Sequence, residues 1–135
     1  MAVFPWKDEF RVGVKEIDDQ HHQLVDMINA FYEALFKGEA KGGLAELLRG
    51  LLEYTRYHFS TEEKLMQGSD YPGLEEQRGE HALFVAKVSD MSERFAHGEL
   101  VLSLEATGFL REWLSSHILG TDMKLGKYLV ARGVQ

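Results

Sequence analysis

His58 and Glu62 stand four residues apart in HFSTE, one helical turn apart on a single face. Both are groups that bind metal ions or move protons. Gln77 and His81 repeat that spacing. His21 and His117 stand singly, and Asp122 follows His117 by five residues. An ideal helix turns positions five apart to different faces. The Gly120-Thr121 pair between them permits a bulge or break that brings Asp122 back inward, and the plainer role for Asp122 is to cap a terminal helical piece. Apart from Asp122, these residues lie on stripes that otherwise read Leu, Ile, Phe, Val and Met. An unpaired carboxylate in such a place costs several kcal/mol, so it must be paired or bound to a metal. One histidine on an apolar stripe is ordinarily a hydrogen-bonded core residue. Here every helix supplies at least one, which points to a shared cause. Imidazole and carboxylate without thiolate suit iron, zinc, copper, nickel or manganese. The set exceeds what one tetrahedral zinc needs. It fits two metals bridged by carboxylates, about 3.5–4 Å apart.

The elements that must position these groups are legible from apolar periodicity. Residues 1–17 form an N-terminal arm. A first helix is expected over 18–37, with His21, Leu24, Ile28, Phe31 and Leu35 at spacings of three and four and Gly38 after its end. A second, over 42–66, carries Leu44, Leu48, Leu51, Thr55, His58, Glu62 and Leu65 inward. Gly68 to Gly73 reads as a turn. A third helix, over 74–96, carries Leu74, Gln77, His81, Phe84, Val88, Met91 and Phe95, and His97-Gly98 ends it. A fourth, over 102–119, carries Ala106, Leu110, Trp113 and His117, and a terminal piece runs over 121–131. Alternating three/four spacing is the seam of helices crossing at about 20°, and short turns make neighbours antiparallel. The expected fold is all-α: one up-down-up-down antiparallel four-helix bundle over 1–135, with the arm at one end and a short C-terminal helical extension.

Bulk properties remove other readings. The 135 residues suit one domain, and a net charge of −7 without a basic cluster argues against nucleic acid or an anionic membrane as partner. No apolar run reaches the length of a membrane span. MAVFPWKDEF lacks the pattern of a secretory signal, so the expected location is the cytoplasm. With no cysteine, disulfides, thiolate metal sites and cysteine nucleophiles are excluded. GEAKGG at 38–43 follows no strand and is a turn, not a phosphate loop. No Ser-His-Asp triad, dinucleotide fingerprint or HExxH pattern is present.

Taken together, Trp6, VGVKEIDDQHHQL (12–24), EYTRYHFSTEEKLM (53–66), EHALF (80–84) and WLSSHILGTD (113–122) resemble the bacterial hemerythrins over nearly the whole chain. The resemblance implies two iron ions bridged by an oxo or hydroxo group and by the carboxylates of Glu62 and Asp122. His21 and His58 would complete one iron and His81 and His117 the other, with His22 pointing outward. O2, or a small anion such as azide, would bind at the iron held by His21 and His58. Trp113, Leu114 and Ile118 would form the apolar pocket around it, a role compatible with simple core packing. His97 has no counterpart and is read as solvated or as a helix cap.

One position departs from that pattern. The family has His-x-x-x-His on the third helix, where this chain has Gln77-x-x-x-His81. An amide oxygen is a much weaker ligand than imidazole. Gln77 would bind weakly, hold a water on the iron, or point away. The resemblance thus implies an O2-binding protein for storage, delivery or sensing. The alternative is a di-iron enzyme acting on O2, peroxide or nitric oxide, favoured by a more open second iron. The chain ends shortly after its last helical piece, so a sensor would need a separate protein partner.

Overall fold

The computed structural model describes residues 4–38, 41–97 and 104–134. Among them are helices and turns and no strand. Helix α1 spans Lys15–Phe36, α2 Lys41–Gly68, α3 Leu74–Ala96 and α4 Leu104–Ser116; a π-helical turn, His117–Asp122, leads into α5, Met123–Ala131. α1 packs on α2, α2 on α3, and α4 returns to α1, closing a four-helix bundle. The expected Leu102 start of the fourth helix, Gly98 and the side chain of Ala106 lie outside the described residues.

The main core runs up the bundle axis through Leu24, Ile28, Phe31, Leu48, Leu51, Phe84, Val88, Leu110, Leu114 and Ile118, all buried. Each such side chain contributes roughly 1.5–3 kcal/mol of burial. Leu35 and Leu65, expected on the stripes, are half-buried, and Met66 takes the fully buried position beside Leu65. A smaller cluster closes the end where the arm crosses: Val12, Val14, Ile17, Met66, Leu125 and Leu129. There the arm runs so close to α5 that a Cβ on Gly126 would collide with the Val12 carbonyl oxygen.

Helix boundaries shift by one to three residues from the sequence expectation, and two of the shifts have a local physical cause. α1 begins at Lys15, three residues early, because Asp18 does not cap it. The Asp18 carboxylate instead accepts the backbone N–H groups of Val12 (2.7 Å) and Gly13 (3.3 Å), tying the arm to the first turn. Gly13 there has φ +95°, which suits glycine. At its other end α2 runs on to Gly68, where the Tyr71 N–H returns to the Met66 carbonyl (2.9 Å). The Tyr128 hydroxyl donates to the Ser69 carbonyl (2.8 Å), fastening α5 to that turn. Among the described residues no helix is long and apolar enough to cross a membrane.

Candidate metal centre

The π turn decides the geometry of the site. Its i→i+5 bonding adds one residue to the turn, so His117 and Asp122, five apart, face the same way, and both are buried. Asp122 therefore points into the bundle. With it are brought together His21 from α1, His58 and Glu62 from α2, Gln77 and His81 from α3, and His117, all buried.

The two carboxylates divide their oxygens between two histidine pairs. Glu62 Oε2 lies 3.3 Å from both His21 Nε2 and His58 Nε2, and Glu62 Oε1 lies 3.1 Å from His81 Nε2. Asp122 Oδ2 lies 3.0 Å from His21 Nε2, and Asp122 Oδ1 lies 3.1 Å from His117 Nε2. Two groups of donor atoms result: His21, His58, Glu62 and Asp122, and Glu62, His81, His117 and Asp122.

Tautomers follow from the outer ring nitrogens. A carboxylate only accepts, so His81 Nδ1–H donates to Glu63 Oε2 (2.9 Å) and His117 Nδ1–H to Glu80 Oε1 (2.8 Å). The Gln20 amide nitrogen is turned toward Thr61 Oγ1 (3.3 Å), leaving its oxygen to accept from His58 Nδ1–H (2.7 Å). The inward Nε2 atoms of His58, His81 and His117 are then bare lone pairs when these rings are neutral. Two of them, on His81 and His117, face each other at 3.3 Å. His21 Nε2 is close to both carboxylates but is not aligned for a hydrogen bond with either. Among the described residues, seven buried side-chain atoms lack a hydrogen-bond partner: His21 Nδ1 and Nε2, His58 Nε2, both Glu62 oxygens, Gln77 Oε1 and Asp122 Oδ2. At about 1–3 kcal/mol each, their cost rivals the whole stability of a domain, about 5–15 kcal/mol. Converging lone pairs of nitrogen and oxygen are relieved by cations, and this thiolate-free donor set fits iron.

Gln77 reaches the site as a donor. Its amide nitrogen lies 3.1 Å from Asp122 Oδ1 and 3.4 Å from the Thr121 carbonyl oxygen. Leu114 and Ile118 sit in the main core. Trp113 is half-buried and stacks on His117, ring centroids 4.6 Å apart. His22 is exposed, 3.3 Å from Asp26 and beside Trp6. His97 is exposed and donates to the Glu93 carbonyl at the end of α3. Sequence reasoning missed Gln20, Glu63 and Glu80. Each immediately neighbours a candidate residue in the chain: Gln20 beside His21, Glu63 beside Glu62 and Glu80 beside His81.

The charges also shape acid–base behaviour. Burial pulls the His21 imidazole down, but Asp122 and Glu62 beside it push it up to about 9. Burial likewise opposes charge on His117, and the same two carboxylates push it up to about 11. Burial works against the Glu62 carboxylate, yet the surrounding imidazoles, His58 foremost, hold it well below the usual range. Asp122 is held low by His117 and His21 against burial and the Glu62 charge. On His58 burial wins and lowers it. For protein prepared without metal, the raised His21 and His117 contribute stability that is complete below 6.5 and lost as pH climbs through about 9 and about 11. The depressed acids contribute above their ordinary values of 4.5 and 3.8 and lose it as pH falls. His58 adds a loss below 6.5. Thermal melts across pH should therefore peak near about pH 6.5 and fall as pH climbs toward 9; a midpoint that rises between about pH 6.5 and 9 would contradict this electrostatic account.

Comparison with known proteins follows the same lines. The family model of the hemerythrin HHE cation binding domain matches residues 12–129. A bacteriohemerythrin of Pseudomonas paraeruginosa is 37% identical over 122 residues, covering 90% of this chain and 78% of that protein. One of Methylococcus capsulatus is 32% identical over 132 residues, covering 97% of this chain and 100% of that protein. A crystal structure of wild-type hemerythrin superimposes with a TM-score of 0.88 at 31% identity, covering 95% of this chain and 98% of that one. The buried histidine–carboxylate cluster, the bundle around it and these similarities agree: the chain belongs to the hemerythrin family of non-haem iron-binding proteins.

Proposed function

We propose that this is an O2-binding non-haem di-iron protein serving oxygen storage, delivery or sensing. The observation that carries the reading is the division of the Glu62 and Asp122 oxygens between two histidine pairs. His21, His58, Glu62 and Asp122 would hold one iron, and His81, His117, Glu62 and Asp122 the other, with O2 taken up on the His21–His58 side. Iron held by these donors supplies the reversible redox chemistry that O2 binding needs.

The chain's own residues do the rest. Gln20 fixes the His58 ring through Nδ1 and so keeps its lone pair turned inward. Burial of every donor excludes bulk water, which favours reversible uptake over irreversible oxidation. Leu114 and Ile118 add apolar surroundings without acidic protons. Sustained catalysis is the second reading. Gln77 approaches through its nitrogen, so the second donor group is no larger than the first and would leave more room for exogenous ligands.

The test is anaerobic loading with iron(II), iron analysis, then visible spectra on adding and removing O2, with azide as a comparison ligand. Two irons per chain and a spectrum that O2 produces and its removal reverses are expected. One iron per chain, or no O2-dependent band, would sink the proposal. Continued turnover of O2, peroxide or nitric oxide with an electron donor would decide for the enzyme.

A further inference from the structure

The two donor groups have equal numbers of inward ligands but unequal backing. Behind His81 and His117 stand carboxylates, Glu63 at 2.9 Å and Glu80 at 2.8 Å from Nδ1. Behind His58 stands the neutral amide of Gln20, and His21 Nδ1 has no partner. The carboxylates are themselves held. Arg78 Nε lies 3.3 Å from Glu63 Oε1 while its Nη1 reaches Glu75 at 3.2 Å. Thr121 Oγ1, in the π turn, lies 2.8 Å and 3.0 Å from the two Glu80 oxygens.

The rings differ too. Phe59 lies flat on His81, centroids 3.8 Å apart and 3° from parallel, and Trp113 lies flat on His117. His21 and His58 meet edge to face, 4.6 Å apart. A carboxylate accepting the Nδ1 proton raises the basicity of the opposite nitrogen more than an amide does, and a wedged ring has less orientation to lose on binding.

We infer that Glu63 and Glu80 are positioning residues that make the two metal positions unequal, so that the position between His81 and His117 fills first and empties last. This rests on the two-metal reading above.

Cobalt(II) is the probe, because it takes imidazole and carboxylate donors and its visible bands report each position. The full chain, stripped of metal, is titrated with cobalt(II) against a competing chelator. The wild type should bind two ions in two resolved steps. Glu63→Gln and Glu80→Gln should each weaken the tighter step about 10–100-fold and leave the other in place, while Gln20→Ala should move only the weaker step. At one equivalent, two paramagnetically shifted ring N–H signals should appear, and each glutamine variant should displace one of them. Both carboxylates are partly exposed, at 28% and 32%, so the substitutions should not threaten the fold. Thr121→Val, which removes only a hydroxyl holding Glu80, is a milder companion that should shift the same step less. Two ions binding with indistinguishable affinity, or either glutamine variant weakening both steps alike, would overturn the inference. A wild type that binds one ion overturns the two-metal reading itself, and the inference with it.

Discussion

Glu62→Ala should cost the protein both metal ions, whereas His81→Ala should cost one. Glu62 Oε2 lies against His21 and His58, and Oε1 against His81, so a single side chain serves both donor groups. Losing only the outer partner of a ligand lowers metal affinity about 10–100-fold. Losing the carboxylate itself should lower both affinities by more than about 100-fold. Metal content after desalting, measured by elemental analysis, reads the difference directly. A Glu62→Ala protein that keeps one ion per chain at full affinity would refute the shared-carboxylate geometry. The same substitution leaves buried imidazolium charge less well paired, at a cost of about 3–5 kcal/mol before metal is added. Glu62→Gln, which keeps the shape and removes the charge, separates loss of metal from loss of fold.

Gln77→His should slow oxidation of the O2-loaded protein, on the order of tenfold if one added ligand tunes the site as strongly as an outer partner does. Gln77 is fully buried and spends its amide nitrogen on Asp122 Oδ1, the oxygen that also faces His117. An imidazole there adds a donor to the second group and makes the two positions less alike. It also narrows the room for a second exogenous ligand, the route by which irreversible oxidation would proceed. The decay of the visible charge-transfer band after O2 is added to the diferrous protein measures it. A wild-type band that outlasts that of the variant would show that Gln77 does not impair reversible binding.

The bundle and most of the site were readable from sequence because their information is local. His58 and Glu62 are four apart on one helix, so their shared face needs no tertiary knowledge. The apolar stripes that bury them use the same periodicity. Spacing alone left Asp122 as a choice between cap and inward residue, and only the family resemblance favoured the inward one, because a π turn depends on what its neighbours pack against rather than on spacing. The orientation of Gln77 was hidden for a related reason: an amide offers a donor and an acceptor, and the Asp122 oxygen and Thr121 carbonyl select the donor. Gln20, Glu63 and Glu80 escaped notice because each acts on a histidine of another helix. A residue next to an inward position sits about 100° round its own helix, at the edge of the interface, where it reaches across. Spacing along one helix carries no record of such a crossing.

The π turn also sets the phase of everything after it. One extra residue offsets the following helix by about 100° relative to an uninterrupted α-helix. With that offset, Leu125 and Leu129 face Val12, Val14, Ile17 and Met66, and Gly126 meets the arm where no Cβ would fit. The same residues wound as an uninterrupted α-helix would swing Asp122 out of the site and rotate the Leu125–Leu129 stripe off the arm in the same stroke. Aiming a buried carboxylate and sealing the end of the bundle are thus one mechanical variable, and the apolar seal acts as the detent that keeps an otherwise uncommon turn in its setting.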